Sequence, residues 1–180
     1  MTIKNDKYYI DEALKQARIA ANGGDIPVGC IVVYRENKKN KKMCEIASAA
    51  GISDGTILAR AYNKRNKDKN AVSHAEILAI SKACKKVGDF RLEECTMYVT
   101  LEPCQMCAGA IVQSRIKKLV IGAKSIKSGS CGSIINILDN NEFNHKVDVK
   151  YIDSDDCKNI LKSFFKEIRK SRSIWMREKN

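Results

Sequence analysis

Two short stretches, His74-Ala75-Glu76 and Pro103-Cys104-Gln105-Met106-Cys107, constrain this chain more than any other feature. Together they offer one imidazole, two thiols and one carboxylate that need not be a ligand. Three protein ligands with a fourth position left for water are the inventory of a catalytic zinc site. The spare carboxylate, Glu76, is the group such a site needs to move protons. A chain that uses both stretches must fold so that they meet.

The spacing says how. The run after Ser73, from His74 to Cys84, reads as a helix with Ser73 as its cap. His74 and Glu76 then lie in its first turn. Pro103 suits the first turn of a second helix, running from Cys104 to Ser114. Cys104 and Cys107 are three apart and project from one side of that helix, where the positive end of the dipole favours thiolate. Between the motifs, Cys95 to Leu101 is a β-branched and aromatic run that reads as a strand. The expected unit is helix, strand, helix, with two helix N-termini converging on one ion.

Each motif has a plainer reading. A lone C-x-x-C is also found as structural zinc, as a redox pair or as two buried thiols. A lone H-x-E at a helix start is coincidence in most chains. A structural four-ligand site would draw on Cys84, Cys95 or Cys131, but it leaves Glu76 without a role. The pair in this order, with Pro directly before the first Cys, matches the H-x-E…P-C-x-x-C signature of zinc deaminases acting on nucleobases.

At 180 residues the chain is expected to form one domain over 1–180. No apolar run approaches a membrane span. The first sixteen residues are charged and lack an apolar signal core, so a cytoplasmic or nuclear protein is expected rather than a secreted one. The eight cysteines are dispersed, which fits free thiols in a reducing compartment. The net charge of +12 favours a polyanionic partner such as nucleic acid over a small neutral substrate, although Lys/Asn-rich runs also occur as a compositional habit.

In chain order, Tyr8 to Asn22 reads as a helix with Ile10, Ala13, Leu14 and Ala17 on one stripe, stopped by Gly23-Gly24. Pro27 to Tyr34 reads as a buried strand, with Gly29 at a close approach or in ordinary packing. The stretch 35–55 has no clean period and reads as an insertion between neighbouring strands, as a long hairpin or a mobile solvated loop, with contact to nucleic acid as the alternative role. Thr56 to Asn63 is a second strand, followed by a basic loop with Lys64 and Arg65. Lys117 to Ala123 is a fourth strand. A Gly/Ser-rich loop with Lys124 and Lys127 follows it, then a short helix from Gly132, a polar loop with His145, and a fifth strand from Val147 to Ile152. The last helix, Ser154 to Arg172, carries Cys157, Ile160, Leu161, Phe164, Phe165 and Ile168 as a core stripe. Its other face and the tail at 171–180 are basic, with Arg169, Lys170, Arg172, Arg177 and Lys179 around Trp175, a composition suited to phosphate and base contacts or to a solvated tail. The order implies an α/β fold with a mixed sheet covered on both faces.

The residues resemble the cytidine deaminase superfamily, and within it the tRNA adenosine deaminase branch. The resemblance runs from about Tyr8 to Ile168. It rests on Pro27-Val-Gly-Cys, Asn63, the run from His74 to Ile80, the run from Tyr98 to Ile116, the loop from Gly122 to Ser133, Asn144-His145 and the final Phe164-Phe165 helix. Cys131 to Ile137 is similar to the catalytic subunit of the eukaryotic two-subunit enzyme. Ser125 and Gln113 depart from the bacterial pattern, which has Asp and His there, and the insertion after Tyr34 fits neither branch closely.

The resemblance implies a three-layer α/β/α sandwich around a five-stranded mixed sheet. It implies hydrolytic deamination of adenosine to inosine at the tRNA wobble position, with one zinc ion and its bound water or hydroxide per chain. His74, Cys104 and Cys107 would be the ligands and Glu76 the proton shuttle. Asn63, Val28, Ala75, Glu102, Pro103 and His145 are the candidates for substrate contacts. Lys64, Arg65, Lys124, Lys127, Arg169, Lys170 and Arg172 are the candidates for contacts to RNA. The implied partners are a tRNA anticodon stem-loop and either a second copy of the chain or a catalytically degenerate deaminase-like subunit, with no membrane.

Overall fold

The computed structural model describes residues 4–139 and 142–178, with side chains to 171. Five strands form one sheet: β1 Gly29–Tyr34, β2 Ile57–Tyr62, β3 Cys95–Val99, β4 Lys118–Ile121 and β5 Asp148–Tyr151. Their order is β2-β1-β3-β4-β5. The pairs β1–β2 and β1–β3 are antiparallel, while β3–β4 and β4–β5 are parallel, so the sheet is mixed as expected. The helices are α1 Asp6–Asn22, α2 Lys41–Ala49, α3 Ala75–Val87, α4 Gln105–Gln113 and α5 Asp155–Glu178.

Alternation along the strands builds a core on each face. Cys30, Val32, Met97, Val99, Leu119 and Ile121 face α3 and α4. Ile31, Val33, Tyr98 and Val120 face α1, with Cys157 of α5 beside them. On α3 the buried stripe is Ala75, Ala79, Ala83 and Val87, and its small side chains let the helix lie close on the sheet.

Two contacts fix the end of the sheet where the motifs sit. A Cβ at Gly29 would come within 2.0 Å of the Ala13 carbonyl oxygen and 2.5 Å of the Ala17 nitrogen. The close approach at Gly29 is therefore that of α1, not of a ligand. Buried Thr100 accepts a hydrogen bond from the Gly29 N–H through Oγ1 at 3.1 Å, and its own N–H donates to the Gly29 carbonyl at 3.0 Å. This ties the start of β1 to the end of β3, one residue before Leu101.

The fold corrects several expectations. Ser73 does not cap α3: His74 is the N-cap, in extended conformation. Pro103 is not in the first turn of α4, because Cys104 is the N-cap there. The stretch 35–55 is no hairpin, since it contains α2, capped by Asn40, whose side-chain oxygen accepts from the Met43 N–H. No helix starts at Gly132. That segment winds round the Glu102 carboxylate, which accepts the N–H groups of Cys131 and Ser133 at 3.1 and 3.0 Å, and Cys131 bridges to Asn136. The α5 stripe is not core throughout. Cys157 is buried, but Phe165 and Ile168 are each 40 % exposed, because the second half of the helix has no described element under it. The side chains of Arg172, Trp175 and Arg177, and Lys179, lie outside the described residues. Among the described residues no helix is long and apolar enough to cross a membrane.

Candidate metal centre and base pocket

The residues that begin the two motif helices are themselves the candidate ligands. Ordinary helices α1 and α2 are capped by Asn5 and Asn40 through side-chain hydrogen bonds. His74 and Cys104 occupy the same position in α3 and α4 but make no side-chain cap bond. Their side chains turn to each other instead. His74 Nδ1 lies 3.7 Å from Cys104 Sγ and 3.5 Å from Cys107 Sγ. All three donor atoms fall within 4.8 Å of one another. Tetrahedral zinc with ordinary Zn–S and Zn–N bonds holds such a nitrogen and sulfur about 3.6 Å apart, so the three groups fit a zinc ion. Cys84, Cys95 and Cys131 do not join the group among the described residues, which removes the structural four-ligand reading. Both helices start at this point, and the positive end of each dipole suits thiolate and anion.

The protonation states follow the geometry. A hydrogen bond ties the two thiols. Cys104 is drawn down to about 3 by the hydrogen bond from Cys107, with His74 adding to it. Cys107 is pushed up because it donates that bond and is buried. The two shifts are the two ends of one bond, with the charge on Cys104. A divalent cation in place of the bonding proton would leave both as thiolates. His74 is raised, first by its bond to Cys104. Glu76 is raised chiefly by burial, which favours its protonated form over that of a solvated carboxyl.

Around this centre lies a hollow of about 180 Å³, lined by Ile26, Val28, Asn63, Arg65, Leu101, Glu102 and Ser128 together with His74, Glu76 and Cys104. Larger hollows lie at the opposite end of the sheet, one of about 730 Å³ at Arg35 and Lys118, but no ligating cluster occurs there among the described residues.

The structure separates the sequence-based candidates. Asn63, Val28, Glu102 and Arg65 line the hollow, and Ala75 is buried as the first residue of α3. Glu102, however, is committed to the loop. Burial works against its charge, but the Ser133 hydroxyl and the N–H groups of Ser125, Ser133 and Cys131 outweigh it and hold the carboxyl below its usual range. The Pro103 carbonyl accepts from the Ser130 N–H at 2.9 Å, so it too holds the loop. The structure does not bring His145 to the hollow: its Nε2 meets the Ile116 carbonyl at 2.7 Å, beside Phe90 and Arg115. Of the basic candidates, Lys64 sits over the Tyr62 ring and Lys124 over Tyr151. Lys127, Arg169 and Lys170 are exposed.

Sequence reasoning missed Asp25. It is buried, and its carboxylate accepts the N–H groups of Asn66 and Lys67 at 2.7 and 3.1 Å. The Asn63 amide nitrogen reaches Asp25 and the Ile26 carbonyl at 3.5 and 3.4 Å. Asp25 therefore sets both Asn63 and the loop that carries Arg65. The signal was an Asp just after a Gly pair and two residues before Pro, a turn-forming pattern.

Comparison with known proteins agrees with this geometry. The family model for MafB19-like deaminases matches residues 4–169. A Bacillus subtilis protein named tRNA-specific adenosine deaminase is 39 % identical over 168 residues, covering 93 % of this chain and 92 % of its own. One of the same name from Aquifex aeolicus is 36 % identical over 163 residues, covering 91 % and 95 %. A solved structure from a study of A-to-I editing by tRNA:A34 deaminases at the wobble position superposes with a TM-score of 0.73. It is 31 % identical and covers 86 % of this chain and 99 % of that one. A Bacillus subtilis guanine deaminase matches less fully, with a TM-score of 0.55, 30 % identity and 67 % and 66 % coverage. The chain belongs to the MafB19-like deaminase family and, within it, groups with the tRNA-specific adenosine deaminases.

Proposed function

We propose that the chain is a zinc-dependent hydrolase that converts adenosine to inosine at the wobble position of tRNA anticodons. The carrying observation is a buried carboxylate, Glu76, beside a cluster of three ligands rather than four. That arrangement leaves room for water and supplies a base. The relatives' names give the substrate.

His74, Cys104 and Cys107 would hold the zinc ion. When bound, zinc makes a coordinated water acidic enough to lose its proton near neutral pH. The reaction adds water across C6 of adenine and releases ammonia, so protons must move twice. Glu76 takes the proton from water and delivers it to the ring nitrogen as the C6–O bond forms. It then takes the proton of the new C6 hydroxyl and delivers it to the amine as the C6–N bond breaks and the C6 carbonyl forms. One carboxylate serves both steps because water, ring nitrogen and amine all lie within reach of one side chain.

The hollow is smaller than a typical small-molecule site of some 300 Å³ or more, so it suits one extruded base with the sugar at its mouth. Asn63 offers an amide to the base edge, and Ile26, Val28 and Leu101 offer apolar walls. Lys64, Arg65, Lys124 and Lys127 ring that end of the domain, and Arg169 and Lys170 stand on α5, with Arg172 next along the chain, as phosphate contacts. A second subunit, identical or catalytically degenerate, would pack on the outward face of α4, where Gly109 meets open space.

The rival reading is a free-base deaminase like the guanine enzyme. The charge of +12 favours the polyanion. Incubation with tRNA, free nucleosides and guanine, followed by nucleoside mass spectrometry, decides between them. Inosine at the wobble position supports the proposal, and conversion of free bases alone overturns it.

A further inference from the structure

We infer that the segment between β1 and β2 carries a second RNA surface, directed at tRNA phosphates that lie outside the anticodon stem-loop. The inference rests on the reading of the chain as a tRNA deaminase. Residues 35–50 hold five basic side chains against two acidic ones. They are mounted firmly. Met43 and Ala47 are buried in the core. The side-chain amides of Asn37 and Asn40 both donate to Glu94 Oε1, at 3.0 and 3.2 Å. On this mount Lys38, Lys39, Lys41 and Lys42 are all exposed, and none is in an ion pair among the described residues.

The arrangement costs the fold something. Lys41 and Lys42 stand in the first turn of α2, which has no acidic residue, and a helix start disfavours cations. Four neighbouring lysines also repel one another. Local violations of this kind are expected where a surface serves a partner. Relief comes from negative charge, and four exposed lysines within five consecutive positions offer several cations at once. A row of phosphates matches that layout better than a single small anion does.

The segment stands at the opposite pole of the sheet from the base pocket, so it faces phosphates other than those beside a held base. β1 runs from the base pocket at Val28 to this segment at the far end of the sheet. Helix α3 covers the same span with 13 residues, about 20 Å. At the far end the hollows of about 730 and 630 Å³ adjoin at Glu94 and Lys117. Arg115 and Lys117 extend the basic surface past the exposed ring of Phe90. Two of the acids here are engaged, Glu94 with Lys117 at 3.3 Å and the two asparagines, and Asp89 with Arg91 at 2.9 Å, while Glu36, Glu45 and Glu93 stay exposed among the more numerous basic side chains. A base held in the pocket therefore leaves this pole to a different part of the same RNA.

The test replaces Lys38, Lys39, Lys41 and Lys42 together by Gln and compares full-length tRNA with an isolated anticodon stem-loop. Full-length tRNA should bind about tenfold more weakly or worse, with the slope of log K against log salt shallower by about 1 for each phosphate no longer engaged. Stem-loop binding, its deamination and the zinc content should not change, and the matching set of Lys→Arg replacements should restore tRNA binding. Unchanged binding of full-length tRNA overturns the inference, as does an equal weakening for the stem-loop. If the unmodified chain deaminates neither RNA, the tRNA reading fails and takes the inference with it. If it deaminates both and the Gln variant matches it, the inference alone falls.

Discussion

His74 Nδ1 and Cys107 Sγ lie 3.5 Å apart although 33 residues separate them. The distance is set by two helix starts meeting across the end of β3. Cys107→Ala should lose bound zinc, read by atomic absorption, and should melt at a lower temperature, because ligation and folding are coupled. Chelation of the unmodified chain should lower its melting temperature in the same way. Full zinc retention in Cys107→Ala would remove it from the ligand set.

Gly29 has no room for a methyl group, and the atoms it would strike are backbone atoms of α1. Gly29→Ala should cost about 3 kcal/mol, at or above the upper end of ordinary overpacking, in a denaturant titration. A cost below about 1 kcal/mol would mean that α1 shifts freely.

Asp6 accepts from the Tyr98 hydroxyl at 2.9 Å and from Lys150 at 2.7 Å. Burial works against its charge, but these partners outweigh it and hold the carboxyl below the ordinary range. A carboxyl lowered on folding stabilises fully above its unfolded pKa, about 3.9, and that contribution disappears as pH falls through the lower folded value. Asp6→Asn should therefore cost about 1 kcal/mol at pH 7, since the site is partly exposed. The gap from the unmodified chain should close below about pH 4. A gap that widens in acid would reverse the sign.

The outward face of α4 is small and open at Gly109. Gly109→Arg should convert a dimer to a monomer in light scattering and reduce turnover while zinc stays bound. A monomeric and fully active unmodified chain would rule out the second subunit.

What the sequence made legible was chemistry carried by spacing. The two motifs, the strand between them and the apolar, β-branched strands followed from side-chain type alone. Less legible was anything decided by backbone partners. Ser73 is the better capping residue by propensity, yet His74 takes the N-cap position of α3 because its ring must reach the thiols. The segment after Gly132 has helix-forming residues, but Glu102 captures its N–H groups first. Helix α2 is only nine residues long and charged, so its period was hidden. The α5 stripe has the right period but outruns the body it would pack on. The turn pattern around Asp25 marks a turn, but it does not report that its carboxylate serves N–H groups 41 and 42 residues away.

Everything proposed for the reaction turns on Glu76 moving protons beside a zinc ion it does not bind. The direct measurement is inosine formed at the wobble position of tRNA by the unmodified chain and by Glu76→Ala, with zinc measured in both. Equal zinc is expected in the two proteins, with turnover reduced at least about a hundredfold in the variant. Turnover retained in Glu76→Ala, or zinc lost with it, would contradict that role.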